Sequence, residues 1–257
     1  MRRSRGKRSV PTLQAGSGVW SMREAYESKL DDLWPLNYVR NGLVLHIDAK
    51  SPESYPGYGT TWYDLSGNNY NLSIVGSPTY NSNGYFTLAN NQTTQYMMRD
   101  NFATPTTAIT YSCWFNSNFA SANQAPFTYS ISGNNEMLFF TGSSTQLSPH
   151  PLGASYAITT SNMTNVWVNF TWSRLSSTGV NRYYRDGQYI ATNTASAGTN
   201  IGTGGRLIIG QEADSGFSFD PNQNLDGSIA ILSVYNRVLT DDEVLQNFNV
   251  YRSRFGL

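Results

Sequence analysis

The sequence predicts an all-β protein whose strands form a two-sheet antiparallel sandwich. The 257-residue chain carries 17 Tyr, 12 Phe and 6 Trp, and aromatic residues favour strands. Only 13% of the residues are charged, while the turn formers Asn, Ser, Thr and Gly are frequent. Short apolar segments recur at near-regular spacing between turn residues, which is typical of a sandwich.

Residues 1–19 are predicted to form an extended basic arm. Five positive charges fall in the first eight residues, which leaves 12 basic against 17 acidic residues, a net charge of −5, in the remainder. The five are Arg2, Arg3, Arg5, Lys7 and Arg8. Such an arm is either a solvated tail or a segment that binds an acidic surface of a protein or nucleic acid.

Residues 20–35 are predicted to form one amphipathic helix. Ser21 and Glu24 have the spacing of a capping box, and Pro35 ends the element. An apolar stripe follows the helical period and consists of Met22, Tyr26, Leu30 and Leu33. Because so short a helix is marginal in water, we expect it to dock, either on its own β domain or on a partner as an anchor.

Residues 36–257 are predicted to form the sandwich domain. Its first strand, Leu43–Asp48, alternates between apolar and polar positions after a turn. The dipeptide Asp186-Gly187 indicates a two-residue hairpin. The remaining strands are predicted at Tyr85–Leu88, Thr110–Phe115, Met137–Thr141, Val166–Trp172, Arg182–Arg185, Gln188–Thr192, Leu207–Ile209 and Ser228–Tyr235.

A short capped helix is predicted after the last strand. Thr240 and Glu243 have capping-box spacing, and the two acidic residues between them favour the positive end of the helix. Val244 and Phe248 then lie on one apolar face.

Two segments of this domain carry a resemblance to a known family. The closing block between Ile209 and Asn249 includes the string DGSIAILSVYNRVLTDDEV, and an earlier segment from Trp62 reads WYDLSGNNYNL. Both resemble the laminin-G-like/concanavalin-A-like lectin family, and the hairpin around Asp186 is similar to that family's central hairpin. The resemblance implies a jelly-roll sandwich and favours surface binding over catalysis.

A second resemblance concerns the segment GVWSMREAYESKLDDLWP, from Gly18 to Pro35. It resembles a short element of tailed-bacteriophage structural proteins, where it accompanies a lectin-like domain. Together the two resemblances imply a virion protein, acting as capsid decoration, head fibre or tail adhesin. Its arm and helix would fix it to other capsid or tail proteins, as an oligomer within the particle, and its sandwich would reinforce the shell or bind cell-surface polysaccharide.

Other classes remain as alternatives. One is a free bacterial carbohydrate-binding protein, and a remote one is a glycoside hydrolase. No apolar run approaches the roughly 20 residues of a membrane span, so no membrane partner is predicted.

Glycan binding requires aromatic faces for the sugar ring and polar groups for its hydroxyls. One aromatic stretch runs into a Trp-Tyr-Asp sequence, and two Phe residues flank an Asp-rich loop. The candidate glycan-binding residues are Trp62, Tyr63, Asp64, Phe217, Phe219 and Asn222. For each aromatic residue the alternative is packing within the protein.

The Asp-rich loop also suggests a metal. Laminin-G-like and pentraxin-like proteins often bind calcium at a sandwich edge, so the resemblance makes Ca²⁺ a candidate cofactor, with Asp214 and Asp220 as candidate ligands. Carboxylate oxygens are the hard ligands that Ca²⁺ requires. The alternative is a polar loop whose Asp and Asn residues form local turns.

No catalytic residues are predicted, and the protein is not expected to be an enzyme. Glucan hydrolases with this sandwich carry an E-x-D-x-x-E pattern on one strand. The nearest match, at Glu212, lacks the third carboxylate. His46 and His150 lack a metal-ligand spacing, so we expect His46 to be structural. The single cysteine, Cys113, excludes an internal disulfide and is expected to be buried.

Overall fold

The computed structural model describes residues 37–89, 94–119, 123–132, 134–213, 218–220 and 222–257. The predicted basic arm and the predicted docking helix lie outside the described residues. The position of the domain boundary therefore stays a prediction. No helix within these described ranges is long and apolar enough to cross a membrane.

Short strands dominate the described residues. They are β1 (Leu43–Asp48), β2 (Thr61–Trp62), β3 (Leu72–Val75), β4 (Thr79–Asn81), β5 (Tyr85–Leu88), β6 (Tyr96–Phe102), β7 (Ala108–Ser117), β8 (Gln124–Ile131), β9 (Asn134–Ser143), β10 (Gln146–Pro151), β11 (Ile158–Thr159), β12 (Trp167–Leu175), β13 (Val180–Arg185), β14 (Gln188–Thr194), β15 (Gly205–Ile209) and β16 (Gly227–Tyr235). Helix α1 (Asp241–Tyr251) and a 3₁₀ helix (Arg252–Phe255) follow.

The strands form two antiparallel sheets, which confirms the predicted sandwich. The first sheet has the order β14-β13-β12-β7-β16-β5-β4, with β1 also paired to β16. The second sheet has the order β11-β10-β9-β8-β15-β6-β3-β2. Neighbours distant in sequence lie side by side in both sheets, so the long central strands β7 and β16 tie the two ends of the domain together.

The hydrophobic core lies between the inner faces of the two sheets and is rich in aromatic rings. Phe139 of the second sheet stacks on Phe170 of the first, with ring centroids 4.0 Å apart. Tyr111 and Phe127 stack across the same interface at 5.0 Å. Cys113 is fully buried within this core, as expected.

Helix α1 covers the outer face of the first sheet. Its capping box is confirmed, because the side chain of Thr240 accepts a hydrogen bond from the backbone of Glu243 and the Glu243 carboxylate accepts one from the backbone of Thr240. Phe248 stacks on Trp114 at 5.6 Å, so the apolar face predicted for this helix is buried against the sheet.

The segment between β15 and β16 crosses the outer face of the second sheet. The backbone N–H of Gly210 donates to the carbonyl of Pro126 at 3.0 Å, and that of Ala125 donates to the carbonyl of Gln223 at 2.9 Å. The Thr128 hydroxyl donates to the carbonyl of Gln211 at 3.1 Å. This crossing segment, residues 210–225, therefore rests on β8.

Each strand predicted from the sequence is present, and β1 and β5 have the predicted bounds. The Asp186-Gly187 hairpin is also confirmed, with φ of 52° and 75°, as a type I′ turn requires. The predictions missed β2, β3, β4, β6, β8, β10 and β11. Proline explains two of these, because Pro126 lies at a bulge of β8, and Pro149 and Pro151 lie where β10 has no β11 partner.

Candidate functional site

Trp62, the first of the predicted glycan-binding residues, is a core residue. It is 0% exposed, and its ring lies 4.9 Å from that of Phe86. A sugar platform must offer a ring face to solvent. The structure therefore corrects the expectation for this residue: its indole anchors β2 on the core and is not available to a glycan.

Asp64 organises its own loop. Its carboxylate accepts hydrogen bonds from the backbone N–H groups of His46 (3.0 Å), Ser66 (2.8 Å) and Tyr70 (3.1 Å). It also accepts one from the Ser66 hydroxyl at 2.7 Å. Four donors occupy both oxygens, so the Trp-x-Asp-x-Ser spacing has a structural cause: it holds the β2–β3 loop against β1.

Tyr63 is the exposed member of this group. Its side chain is 44% exposed, and that of Tyr58 in the same loop is 76% exposed. Tyr63 is held at its backbone, where its N–H donates to the carbonyl of Ser54 at 2.7 Å. Its ring offers a surface to solvent, and its role in glycan binding stays a prediction.

The Asp-rich loop carries the second predicted group. Phe219 is half-buried and packs edge-on against Tyr96 at 4.8 Å, whereas Asp220 and Asn222 are exposed. The Asp220 carboxylate accepts a hydrogen bond from the Gln223 side chain at 3.1 Å. Phe217 and Asp214 lie outside the described residues. No ring contact or hydrogen bond within the described ranges joins Phe219 to Tyr63, so the structure does not bring the two groups together.

A cavity beside the crossing segment was not found from the sequence. It measures about 440 Å³ and is lined by Asn134, Asn135, Glu136, Leu152 and Gly153. The first three follow the turn between β8 and β9, so they begin β9 at one edge of the sandwich. We name this space the Asn-Glu cavity.

A buried carboxylate adjoins the Asn-Glu cavity. Glu212 is 3% exposed, and its carboxylate accepts a hydrogen bond from the Asn135 amide at 2.6 Å. The amide oxygen of Asn135 accepts one from the Ser130 hydroxyl, also at 2.6 Å. This chain of bonds fixes Asn135 and brings a negative charge from the crossing segment to the wall of the cavity.

Glu136 is held separately. One oxygen of its carboxylate accepts the backbone N–H of Gly202 at 3.0 Å, and its carbonyl accepts the N–H of Leu152 at 2.8 Å. These bonds place Leu152 beside two amide side chains, so the cavity combines an apolar side chain with hydrogen-bonding groups. That mixture suits a small polar ligand.

Calcium would find suitable oxygen atoms here. The Glu212 carboxylate and the Asn135 amide are hard ligands of the kind that Ca²⁺ uses, and the hydrogen bond between them shows that they lie together. They would hold the ion together with the predicted ligand Asp214, which lies outside the described residues. Elsewhere in the described ranges no group of three His, Cys, Asp or Glu residues is arranged to hold a metal.

Both histidines have structural surroundings. Nδ1 of His46 lies 2.8 Å from the Ser233 hydroxyl, and Nε2 lies 3.1 Å from that of Tyr251. Burial lowers the pKa of His46 to about 4. This imidazole is therefore neutral near pH 7, and the structural role expected for it is confirmed. His150, in β10, has its pKa lowered by burial as well.

Comparison with known proteins gives the same picture of the fold. A family model described as the concanavalin A-like lectin/glucanases superfamily (Laminin_G_3) matches residues 81–245. A pentraxin-domain protein of Rattus norvegicus, "Sushi, von Willebrand factor type A, EGF and pentraxin domain-containing protein 1", is 29% identical over 58% of this chain and 4% of its own length. Serum amyloid P-component of Bos taurus is 29% identical over 46% of this chain and 54% of its own.

Solved structures share the sandwich. A native heptameric SAP-like pentraxin from Limulus polyphemus has a TM-score of 0.55 and 18% identity, covering 65% of this chain and 82% of the pentraxin. A botulinum neurotoxin type C structure, whose title describes cell entry dependent on two ganglioside molecules, has a TM-score of 0.60 and 15% identity, covering 82% and 51%. These likenesses support the jelly-roll form of the sandwich. The chain spans about half the length of the bovine protein and a small part of the rat protein.

Proposed function

The chain belongs to the concanavalin A-like lectin/glucanases superfamily, and from this premise we propose that it binds glycans as a structural component of a bacteriophage particle. The observation that carries glycan binding is the Asn-Glu cavity with the fixed pair Asn135 and Glu212 beside it. A lectin-like domain of the carbohydrate-binding type is what the family match supports, and the virion role is the further step.

The cavity has the chemistry that sugars require. Amide groups donate and accept hydrogen bonds, and carboxylates accept them from hydroxyl groups. Asn134 is exposed at the mouth of the cavity, while Asn135 is held in place by Ser130 and Glu212. Preorganised polar groups reduce the entropy lost on binding. Leu152 supplies an apolar surface for the C–H groups of a sugar ring.

The named neighbours are consistent with a binding role. The pentraxins and the neurotoxin structure are binding proteins by their printed names, and the neurotoxin title names gangliosides. The Limulus pentraxin is heptameric by its title, which fits the proposal that this chain works as an oligomer within a particle. Glycoside hydrolysis is disfavoured because the E-x-D-x-x-E pattern is absent from the sequence.

The virion role rests on the resemblance of Gly18 to Pro35 to tailed-phage structural proteins. In this proposal the basic arm binds an acidic surface of neighbouring capsid or tail proteins, and the apolar stripe of residues 20–35 is buried against them. The sandwich then projects from the particle as capsid decoration, head fibre or tail adhesin, where it reaches cell-surface polysaccharide. The rival is a free bacterial carbohydrate-binding protein.

Glycan binding is tested by applying the full chain to an array of bacterial surface polysaccharides. We expect binding to defined glycans, and Asn134→Ala should weaken it about tenfold, the effect of losing one or two sugar hydrogen bonds. Ser177→Ala, an exposed residue of the first sheet, is the matched control. Tyr63→Ala tests the β2–β3 loop in the same assay. Binding that Asn134→Ala leaves unchanged would remove the cavity from the proposal.

The particle role is tested by cryo-electron microscopy of particles from the source, with and without deletion of residues 1–35. We expect the intact chain on a capsid or tail, and we expect the deleted chain to remain folded but unattached. A chain that is absent from every particle, yet binds a glycan by itself, would favour the free lectin.

A further inference from the structure

We propose that a groove on the outer face of the first sheet is a second binding site, which takes a glycan bearing a carboxylated sugar. The groove measures about 470 Å³, within the range of small-ligand pockets, roughly 300–1,000 Å³. It is lined by Lys50, Asn83, Tyr85, Trp167, Arg254 and Phe255. It lies on the other sheet from the Asn-Glu cavity, so either site can fail without the other.

Three aromatic rings form the apolar part of this groove. Trp167 meets Tyr85 edge-on at 5.4 Å and Phe255 at 4.6 Å. Each of the three is only partly buried, so ring surface remains open to the groove. Phe255 stacks in turn on Trp114 beneath it at 4.3 Å. Because the rings support one another, they present a fixed surface on which the C–H face of a sugar can pack.

Two cations border the aromatic rings, but only one is available to a ligand. The Arg254 guanidinium donates to the Asp48 carboxylate at 2.6 Å and to the carbonyl of Gly84, so its charge is matched. Lys50 is exposed, and its ammonium donates one hydrogen bond, to the carbonyl of Ser82 at 2.8 Å. An ammonium has three N–H donors, and no carboxylate of the described residues pairs with Lys50.

This charge pattern selects the ligand class. One unmatched ammonium beside stacked rings suits a ligand with one negative charge on an apolar-faced ring, which describes a carboxylated sugar. A nucleic acid needs several unmatched cations to neutralise its phosphates, and here the second cation is matched by Asp48. Asn83 is exposed at the same groove and can hydrogen-bond a ring hydroxyl.

The test is a titration of the full chain followed by the indole N–H signal of Trp167, which a Trp167→Phe variant identifies. The probes are glucuronic acid, N-acetylneuraminic acid, neutral glucose and acetate. We expect the acidic sugars to shift this signal at about tenfold lower concentration than glucose, as one charged hydrogen bond predicts. Lys50→Gln should remove that advantage, and Lys50→Arg should keep most of it.

Arg252→Gln is the matched control, since Arg252 is an exposed cation on the same 3₁₀ helix that does not line the groove. The proposal is overturned if glucose or acetate binds as well as the acidic sugars, or if Lys50→Gln leaves their affinity unchanged. It is also overturned if Asn134→Ala abolishes acidic-sugar binding while Lys50→Gln does not, because the ligand then occupies the Asn-Glu cavity. Lys50 is exposed, so its variants test binding without unfolding the domain.

Discussion

The ring of Phe255 stacks on the indole of Trp114, with centroids 4.3 Å apart and planes inclined by 21°. Phe255 ends the 3₁₀ helix, and Trp114 lies at the centre of β7. The contact therefore fastens the end of the described chain to the middle of the first sheet, and it forms the floor of the groove around Trp167.

Phe255→Ala should lower the free energy of unfolding by about 2 kcal/mol. A fully buried Phe→Ala change costs about 3–5 kcal/mol, and Phe255 is only half-buried. Phe255→Leu should cost less because apolar volume is kept. Urea denaturation measures both, with Ser253→Ala, an exposed residue of the same turn, as the control. Equal stability of Phe255→Ala and the unaltered protein would contradict the anchoring role.

Acid should destabilise the protein through His46. Its pKa is about 4 in the folded state because burial excludes the charged form, against about 6.5 when unfolded. Between these values the unfolded chain binds a proton that the folded chain does not. Stability from this residue is therefore complete above pH 6.5 and falls by about 3 kcal/mol as the pH drops to 4.

Urea denaturation across this pH range measures the effect. His46→Gln should remove most of the slope between pH 6.5 and 4. His150→Gln should remove less, since His150 is only half-buried and its pKa is also lowered. A slope that persists in His46→Gln would assign the acid sensitivity to another group.

Alternation and turn residues were enough to predict the strands that surround the core. Leu43–Asp48 was found with its observed bounds because one face is apolar. β10 was missed because Pro149 and Pro151 argue against a strand, and only the sheet order shows that they lie on an unpaired edge. Local pattern therefore predicts strands well when one face is buried, and poorly when neighbouring strands decide.

The candidate site depended on contacts that spacing does not reveal. Trp62 has the composition of a sugar platform, but Phe86 covers it. Asn135 and Glu212 are 77 residues apart and meet only because the crossing segment runs over β8. Their pairing could not be predicted without knowing the path of that segment.

Arg174 should be among the most sensitive polar residues of the domain. It is fully buried, and its guanidinium donates to the carbonyls of Ala195 (2.9 Å), Ser196 (3.0 Å) and Thr199 (3.1 Å). Arg174→Met leaves these carbonyls without their donor, which should cost about 3 kcal/mol or more.

Arg174→Lys keeps a charge but lacks the planar fork that reaches several carbonyls, so we expect an intermediate loss. Arg252→Met, at an exposed position, should change stability by less than about 0.5 kcal/mol. Thermal and urea denaturation compare the three. Tolerance of Arg174→Met would mean that water replaces the guanidinium.

Gly227 begins β16 where β7 approaches most closely. A Cβ atom at this position would overlap the carbonyl oxygen of Asn116 in the paired strand. Gly227→Ala should therefore separate the two strands and cost about 3 kcal/mol, within the range for overpacking. Gly59→Ala is the matched control, since Gly59 has a φ of +91° but open space around it, and we expect about 1 kcal/mol from backbone strain alone. Similar melting of both variants would show that β16 can shift.

Calcium should stabilise the protein if Glu212 and Asn135 help to hold the ion. A ligand at a hundredfold excess over its Kd adds about 2.7 kcal/mol to the free energy of unfolding. The melting temperature in calcium chloride should therefore exceed that in EDTA. Glu212→Gln should abolish the difference, and so should Asp214→Ala combined with Asp220→Ala.

Glu53→Gln, which removes an exposed carboxylate on β1's loop, should keep the full calcium shift and so controls for the loss of charge. Magnesium chloride controls for ionic strength, because Mg²⁺ prefers to keep its waters and a smaller coordination shell. Identical melting of the unaltered protein in calcium and in EDTA would contradict the prediction. The Asp and Asn residues of the crossing segment would then serve local turns, of the kind that Asp220 forms with Gln223.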